Sequence, residues 1–286
     1  ATTEIYPLSL HDALPISGHP YGAAATVSSL KAITRDDLIG CHGRFFVPDQ
    51  MLIVVSGDFS TASIKAEIAK RFEGWPRSGR VLSPLSTAKP GRRKIVLIDK
   101  PDATQSQVRW IRHGYKHGDS IDPAAVVANA ILGGGFTSRL TEEIRVNRSL
   151  TYGINSRFSS QKAGGVFGVG TFTKIETTRA LIDATQNVLR KAAALGASQS
   201  EVDKAKGYLI GDFAISAQTP EALGGQLATA LFFGEGENYV RHYLDRIRAV
   251  TVAQVNEVFK RYLDPAQLTL VLVAPQAKVK QQLQGL

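Results

Sequence analysis

Cysteine is nearly absent: the 286 residues contain one, Cys41. A single thiol excludes an intramolecular disulfide framework and a thiolate zinc cluster. Cys41 falls in a helical pattern and is expected to be a small buried apolar side chain. Long hydrophobic runs are missing as well. None reaches the length of a bilayer span, so no membrane-crossing helix is expected. Clustered charge is also scarce. The net charge is +9, yet Lys and Arg are spread along the chain, and their densest group is Arg92-Arg93-Lys94. No helix-turn-helix, RNA-binding or zinc-finger pattern accompanies it. The charge therefore reads as a solvated basic surface with some electrostatic steering, and no nucleic-acid partner is expected.

The rest of the composition is that of a globular protein, with 43% hydrophobic and 21% charged residues. The length suits about two domains with substantial cores. Segments 94–100 and 106–115 read as strands, as do 151–160 and 165–174, with a turn near Lys162. Asp122-Pro123 opens a helix to Leu132. Two long helices follow the strands, one ending near Gly196 and one capped by Ser198 or Ser200. Residues 219–234 and 238–247 read as further helices. Hairpin strands with helices in blocks between them predict an α+β fold, with mostly antiparallel sheet flanked by helices.

A partial internal repeat organises the chain. Residues 30–57 match residues 247–274 at a constant offset of 217, with Ala32/Ala249, Thr34/Thr251, Arg44/Arg261, Pro48/Pro265, Gln50/Gln267 and Val54/Val271 identical. Each copy reads as a Thr-capped helix, a Pro turn and a buried strand, the first strand being MLIVVSG at 51–57. The second copy is preceded by a long stretch starting near Lys94. If the copies are equal, about 120 residues of the first lie before this sequence.

Residues 132–152 read LGGGFTSRLTEEIRVNRSLTY. A triple glycine leads into a short amphipathic helix, and an aromatic strand starts at Tyr152. Arg145 and Tyr152 are seven apart, which lets a guanidinium and a phenol aim at one place. Gly133-Gly134-Gly135 lacks the Lys-Ser/Thr of a phosphate-binding loop and follows no strand. The glycines instead predict close backbone approach between helices and a tight turn before Ser138.

This segment resembles the Arg/Tyr signature of the insulinase-type zinc peptidases, the family that includes mitochondrial processing peptidase. The resemblance resumes at His19-Pro20-Tyr21-Gly22 and runs to the C-terminus. It implies two related domains, and a clamshell in which Arg145 and Tyr152 reach a bound peptide from the domain opposite the zinc. Arg145 would hold a substrate carbonyl, Tyr152 would donate to the developing oxyanion, and Leu150 would anchor the turn between them. Arg148 is the alternative to Arg145. Arg139 is assigned to a salt bridge or domain contact, and Glu142 and Glu143 to the helix surface.

The same family uses His-x-x-Glu-His on a helix, with a later Glu completing the metal set. This motif is absent from the sequence. His113 and His117 are four apart in HGYKH, but Gly114 interrupts them, no acid lies between them, and the context alternates like a strand. His42 and His242 are lone helix residues. No metal ligand is therefore assigned to this chain, and zinc is expected in a longer parent or in a partner subunit. Residues 1–17 do not share the resemblance and read as translated sequencing adapter, a non-native artefact. Residues 18–73 then form the second half of a first insulinase-type domain, 74–93 a Pro/Gly/Ser-rich linker, and 94–286 a complete second domain. The implied partners are a peptide and a zinc-bearing chain of the same family, in a homo- or heterodimer. The chain by itself is expected to be inactive. The alternative is a non-catalytic or scaffold subunit of the same fold, as in respiratory-complex cores. The compartment stays open between periplasm and cytoplasm.

Overall fold

The computed structural model describes residues 3–4, 25–79, 93–236 and 238–286. The His19-Pro20 loop, most of residues 1–17 and the middle of the expected linker lie outside these. In chain order the elements are β1 (Thr3–Glu4), α1 (Val27–Lys31), α2 (Arg35–Phe45), α3 (Thr61–Phe72), β2 (Ile95–Asp99), β3 (Gln105–His113) and α4 (Asp122–Leu132). A π-helix (Thr141–Asn147) follows, then β4 (Ile154–Gln161), β5 (Gly164–Lys174), α5 (Thr178–Leu195), α6 (Gln199–Ser216) and α7 (Pro220–Phe233). The chain closes with α8 (Asn238–Arg241), α9 (Tyr243–Ala249), α10 (Val252–Tyr262), β6 (Thr269–Ala274) and α11 (Gln276–Val279). The described residues form two compact units. One holds Thr3–Glu4, 93–211 and 243–286, and the other holds 25–79, 212–236 and 238–242.

The first unit is built on a mixed, mostly antiparallel sheet in the order β1-β2-β6-β3-β5-β4. β2 pairs in parallel with β1 and β6, and every other pairing is antiparallel. Alternation sets its two faces. In β5, residues Phe167, Val169, Thr171 and Thr173 are buried, and the residues between them are part-exposed. In β3, Ser106, Val108 and Trp110 are buried while Gln107 and Arg109 are exposed. The buried face packs on α4, α5 and α10, around Trp110, Phe167 and Phe259. α10 shows why it docks there. Val255, Val258, Phe259 and Tyr262 fall at i, i+3, i+4 and i+7, one stripe, and all four are buried. Burying each such side chain contributes about 1.5–3 kcal/mol.

The repeat is visible in the backbone. Thr34 and Thr251 each cap their helix with a reciprocal capping box, completed by Asp37 and by Gln254. α2 and α10 match residue for residue at the offset of 217, as do the 3-10 turns Pro48–Gln50 and Pro265–Gln267. The strands that should follow do not correspond. Thr269–Ala274 is β6, held between β2 and β3. Residues 51–57 form no ladder, and Met51, Leu52, Ile53 and Val55 are exposed, so the expected buried strand is not formed. The reason is pairing: among the described residues no strand offers 51–57 its N–H and C=O groups. Cys41 is likewise exposed rather than buried, on a helix with no buried residue. The expected helix at 238–247 is divided into α8 and α9.

Candidate functional site

Gly133 follows the last residue of α4, where the chain meets strand β4. A Cβ added there would lie 2.6 Å from Ser156 Oγ, 2.7 Å from Ser156 N and 2.9 Å from Leu140 Cδ1. The Ser156 N–H donates to Gly133 O at 3.1 Å, and the Ser156 hydroxyl donates to Asn129 Oδ1 at 2.8 Å. The close approach is thus to strand β4 at Ser156 as well as to Leu140 of the next helical segment, so helix-to-strand packing joins the approach between helices that the glycines predict. Gly134 is nearly as confined, with an added Cβ 3.0 Å from Asn129 O and 3.1 Å from Ala130 Cα. Gly135 is open, its nearest neighbour being Tyr208 at 3.9 Å. Beyond it, the Ser138 hydroxyl donates to Thr141 Oγ1 at 3.0 Å and the Glu142 N–H to Ser138 O at 2.9 Å, starting the next helical turn.

That turn is wide. Residues 141–147 are π-helical, with Thr141 and Ile144 buried. Arg145, next to Ile144, is half-buried, and its guanidinium lies 5.2 Å from the centroid of the exposed Phe136 ring. The segment then reverses at Ser149, which has φ 51°. Leu150 is partly buried against the core, and its backbone is pinned at both ends: its N–H donates to Ile144 O at 3.0 Å, and its carbonyl accepts from the Thr173 hydroxyl at 2.6 Å. The Thr171 hydroxyl fixes Gly153 through its carbonyl at 2.9 Å. Tyr152 therefore sits between two anchored residues while its side chain is 84% exposed. Arg148 is turned to Glu143, with Nε donating to Oε1 at 2.7 Å.

Arg145, Tyr152 and the three glycines line one cleft of ≈1410 Å3. Its floor is the open face of β3, β5 and β4, and α6 forms part of its wall. Arg109 and Arg157 rise from the floor, and Lys204 stands on α6. Sequence reading did not single out these three. The signal was present in the period-two glycines of GGVFGVGTF, but strand pairing is needed to show which residues flank them. Arg139 closes on Glu201: Nε donates to Oε1 at 2.7 Å and Nη2 to Oε2 at 2.8 Å, with a further bond from Nη2 to Gly196 O at 2.8 Å. Those Arg139 bonds, helped by the Ser198 N–H and hydroxyl and opposed by desolvation, bring Glu201 down to about 2.

The cleft does not suit a zinc ion. Its one carboxylate is already bound to Arg139, and the other charged groups on its lining are cations. Among the described residues no three His, Cys, Asp or Glu side chains gather around a common point. His113 ends β3 at the other end of that strand, and His117 Nδ1 lies 3.1 Å from Ser160 Oγ. His42 stacks on Phe46 at 4.9 Å, and His242 Nδ1 lies 2.9 Å from Asn238 O. No helix among the described residues is long and apolar enough to cross a membrane.

Comparison with known proteins places this architecture. Residues 32–209 match the family model described as peptidase M16 inactive domain. A Mycobacterium leprae (strain TN) protein named as an uncharacterized zinc protease is 27% identical over 255 residues, covering 86% of this chain and 56% of its own length. A Helicobacter pylori (strain ATCC 700392 / 26695) protein named as a non-peptidase homolog is 23% identical over 261 residues, covering 90% of this chain and 60% of its own length. The crystal structure of a peptidase M16 inactive domain from Pseudomonas fluorescens superposes with a TM-score of 0.85 at 27% identity, over 93% of this chain and 63% of that one. The chain thus spans little more than half the length of these sequence relatives. With more than half of its residues matched by the family model and its sheet and helices matching a solved member, the chain belongs to the peptidase M16 inactive domain family, within the insulinase-type fold.

Proposed function

We propose that this chain supplies the substrate-binding side of an insulinase-type zinc peptidase, with Arg145 and Tyr152 holding the peptide. One observation carries the reading: Arg145 and Tyr152 line a single cleft, on a segment whose backbone is anchored at Ile144, Leu150 and Gly153. The Arg145 guanidinium is planar, permanently charged and steadied by Phe136, so it offers fixed donors to a peptide carbonyl. The Tyr152 hydroxyl offers a second donor in the same cleft. Because the cleft's donors do not suit zinc, no metal step is assigned to these residues. The metal would come from a different chain or region of the same family, and the assembly would be a homo- or heterodimer.

The test is peptide binding by the intact chain, followed by fluorescence anisotropy with a labelled, unstructured peptide. Arg145→Ala removes charge-assisted bonds and is expected to weaken binding about tenfold or more. Tyr152→Phe removes one neutral bond and is expected to cost about two- to tenfold. Unchanged affinity in both variants would sink the reading. A second reading is a non-catalytic or scaffold subunit of the same fold. The cation-rich donor set favours it, as does the similarity to a protein named as a non-peptidase homolog. It is distinguished by mixing this chain with a zinc-bearing family member: a binding half restores peptide cleavage that Arg145→Ala abolishes, whereas a scaffold subunit does not.

A further inference from the structure

We infer that the cleft selects peptides rich in carboxylates; this rests on the peptide-binding reading above and names its substrate class. The charge inventory of the lining is one-sided. Arg109, Arg139, Arg145, Arg157 and Lys204 face Glu201 alone, and Glu201 is spent on Arg139. Four cations remain. None of Arg109, Arg145, Arg157 and Lys204 has an ion pair among the described residues. Cations gathered over a low-dielectric wall raise the local concentration of opposite charge.

Their placement follows from strand register. Arg109 of β3 pairs with Gly170 of β5, and Arg157 of β4 pairs with Gly168. Both arginines are exposed on the open face, one on each side of β5, with backbones about 12 Å apart, two strand spacings across and two residues along. Between them β5 presents no side chain. Packing does not demand glycine there: an added Cβ would meet only Trp110 O at 3.6 Å at Gly168 and Asn155 Oδ1 at 3.8 Å at Gly170, both ordinary contacts. The glycines instead leave a trough one strand wide, flanked by guanidinium groups. The Gln107 and Asn155 amides on the same floor match the N–H and C=O groups of an extended main chain. This suits an acidic peptide better than a nucleic acid, whose bases and sugars would have to enter the same narrow floor.

The experiment uses the full chain and three labelled probes: a ten-residue Glu-rich peptide, its Gln counterpart, and a single-stranded oligonucleotide. At low salt the Glu-rich peptide is expected to bind at least tenfold tighter than the Gln peptide. The ratio should fall toward one in ~0.5 M NaCl, where the screening length is only a few ångströms. Arg109→Ala with Arg157→Ala should remove most of the preference and, since both side chains are exposed, leave the fold intact. Circular dichroism identical to wild type shows that the variants fold. Equal affinity for the two peptides overturns the inference and leaves the Arg145/Tyr152 reading standing. So does a preference unmoved by the double substitution, or an oligonucleotide that outcompetes the Glu-rich peptide. Unchanged affinity for both peptides in Arg145→Ala and Tyr152→Phe, with the Glu preference intact, overturns that reading alone. Failure of both peptides to bind overturns both.

Discussion

Gly133→Ala is expected to be one of the most costly single-methyl insertions in the cleft-bearing unit. Gly133 has φ −162°, outside the left-handed region that favours glycine. The effect comes from space. The new methyl would sit 2.6 Å from Ser156 Oγ, 2.7 Å from Ser156 N and 2.9 Å from Leu140 Cδ1, where contacts of 3.5–4 Å are comfortable. Ser156 Oγ could rotate away, but its N belongs to β4 and cannot. The helix end and the strand must therefore separate. Overpacking of this kind costs about 1–3 kcal/mol, and stretching the bond from Ser156 N to Gly133 O adds about 1 kcal/mol. With a urea m-value of about 2 kcal/mol/M, the midpoint should fall by roughly 1–2 M. Trp110 is buried in this unit, and the only other tryptophan, Trp75, lies in the second unit stacked on Phe72. In a Trp75→Phe background, tryptophan fluorescence reports the unit directly. Gly135→Ala is the control, since its nearest neighbour is 3.9 Å away, and it should stay within about 0.5 kcal/mol of its parent. Equal midpoints for the two alanine variants would refute the argument that helix α4 and strand β4 meet through Gly133.

Glu201 should make the first unit acid-sensitive. Its carboxyl is brought down to about 2, so the stability it contributes is complete above its unfolded value and is lost as pH falls toward 2. The pair with Arg139 is partly exposed, with side chains 25% and 35% accessible, so screening limits the effect to about 1 kcal/mol. Glu201→Gln should flatten the urea midpoint against pH between about 4.5 and 2, and an unchanged slope there would remove Glu201 as its source. The repeat supplies a paired test. Leu38 and Val255 occupy the same register position, yet Leu38 is 61% exposed and Val255 0%. Val255→Asp should cost about 4 kcal/mol or more, an uncompensated buried charge, and Leu38→Asp less than about 0.5 kcal/mol. Comparable losses measured by urea unfolding would contradict the different surroundings of the two copies.

What the sequence carried most faithfully is what neighbours along the chain decide. Thr34 and Thr251 cap their helices because a hydroxyl three residues before a free N–H needs nothing further away. Pro48 and Pro265 end those helices and start the same tight turn for the same local reason. The hairpin of β4 and β5 followed from its alternation, and α5 from Gly196 just beyond its end. Burial was less legible, because it depends on a partner that the local string does not contain. Residues 51–57 and 269–274 carry nearly the same apolar pattern, and only the second lies between two strands. Cys41 and Val258 share a helix position, and only Val258 is buried. The cleft divides along the same line. Arg145 and Tyr152 were singled out by a family resemblance that one short segment carries. Arg109 and Arg157 were not, because they come to flank Gly168 and Gly170 only through the register of three strands.

The same distinction explains how a cleft of one charge is compatible with a stable unit. Cations crowded around a cavity repel one another, which would ordinarily disfavour the fold. Here the cost is kept low by placement. Arg109, Arg157 and Lys204 are exposed, so water screens them, and Arg145 is half-buried but lies over Phe136. Arg139, also half-buried, is the one given a carboxylate, a backbone carbonyl and the Phe259 face at 5.6 Å. One half-buried cation is thus paired with a carboxylate and the other is supported by an aromatic ring, and the exposed three are left to solvent. A fold that needed those last four for stability would have paired them; leaving them unpaired and open to solvent keeps their charge available to a bound ligand.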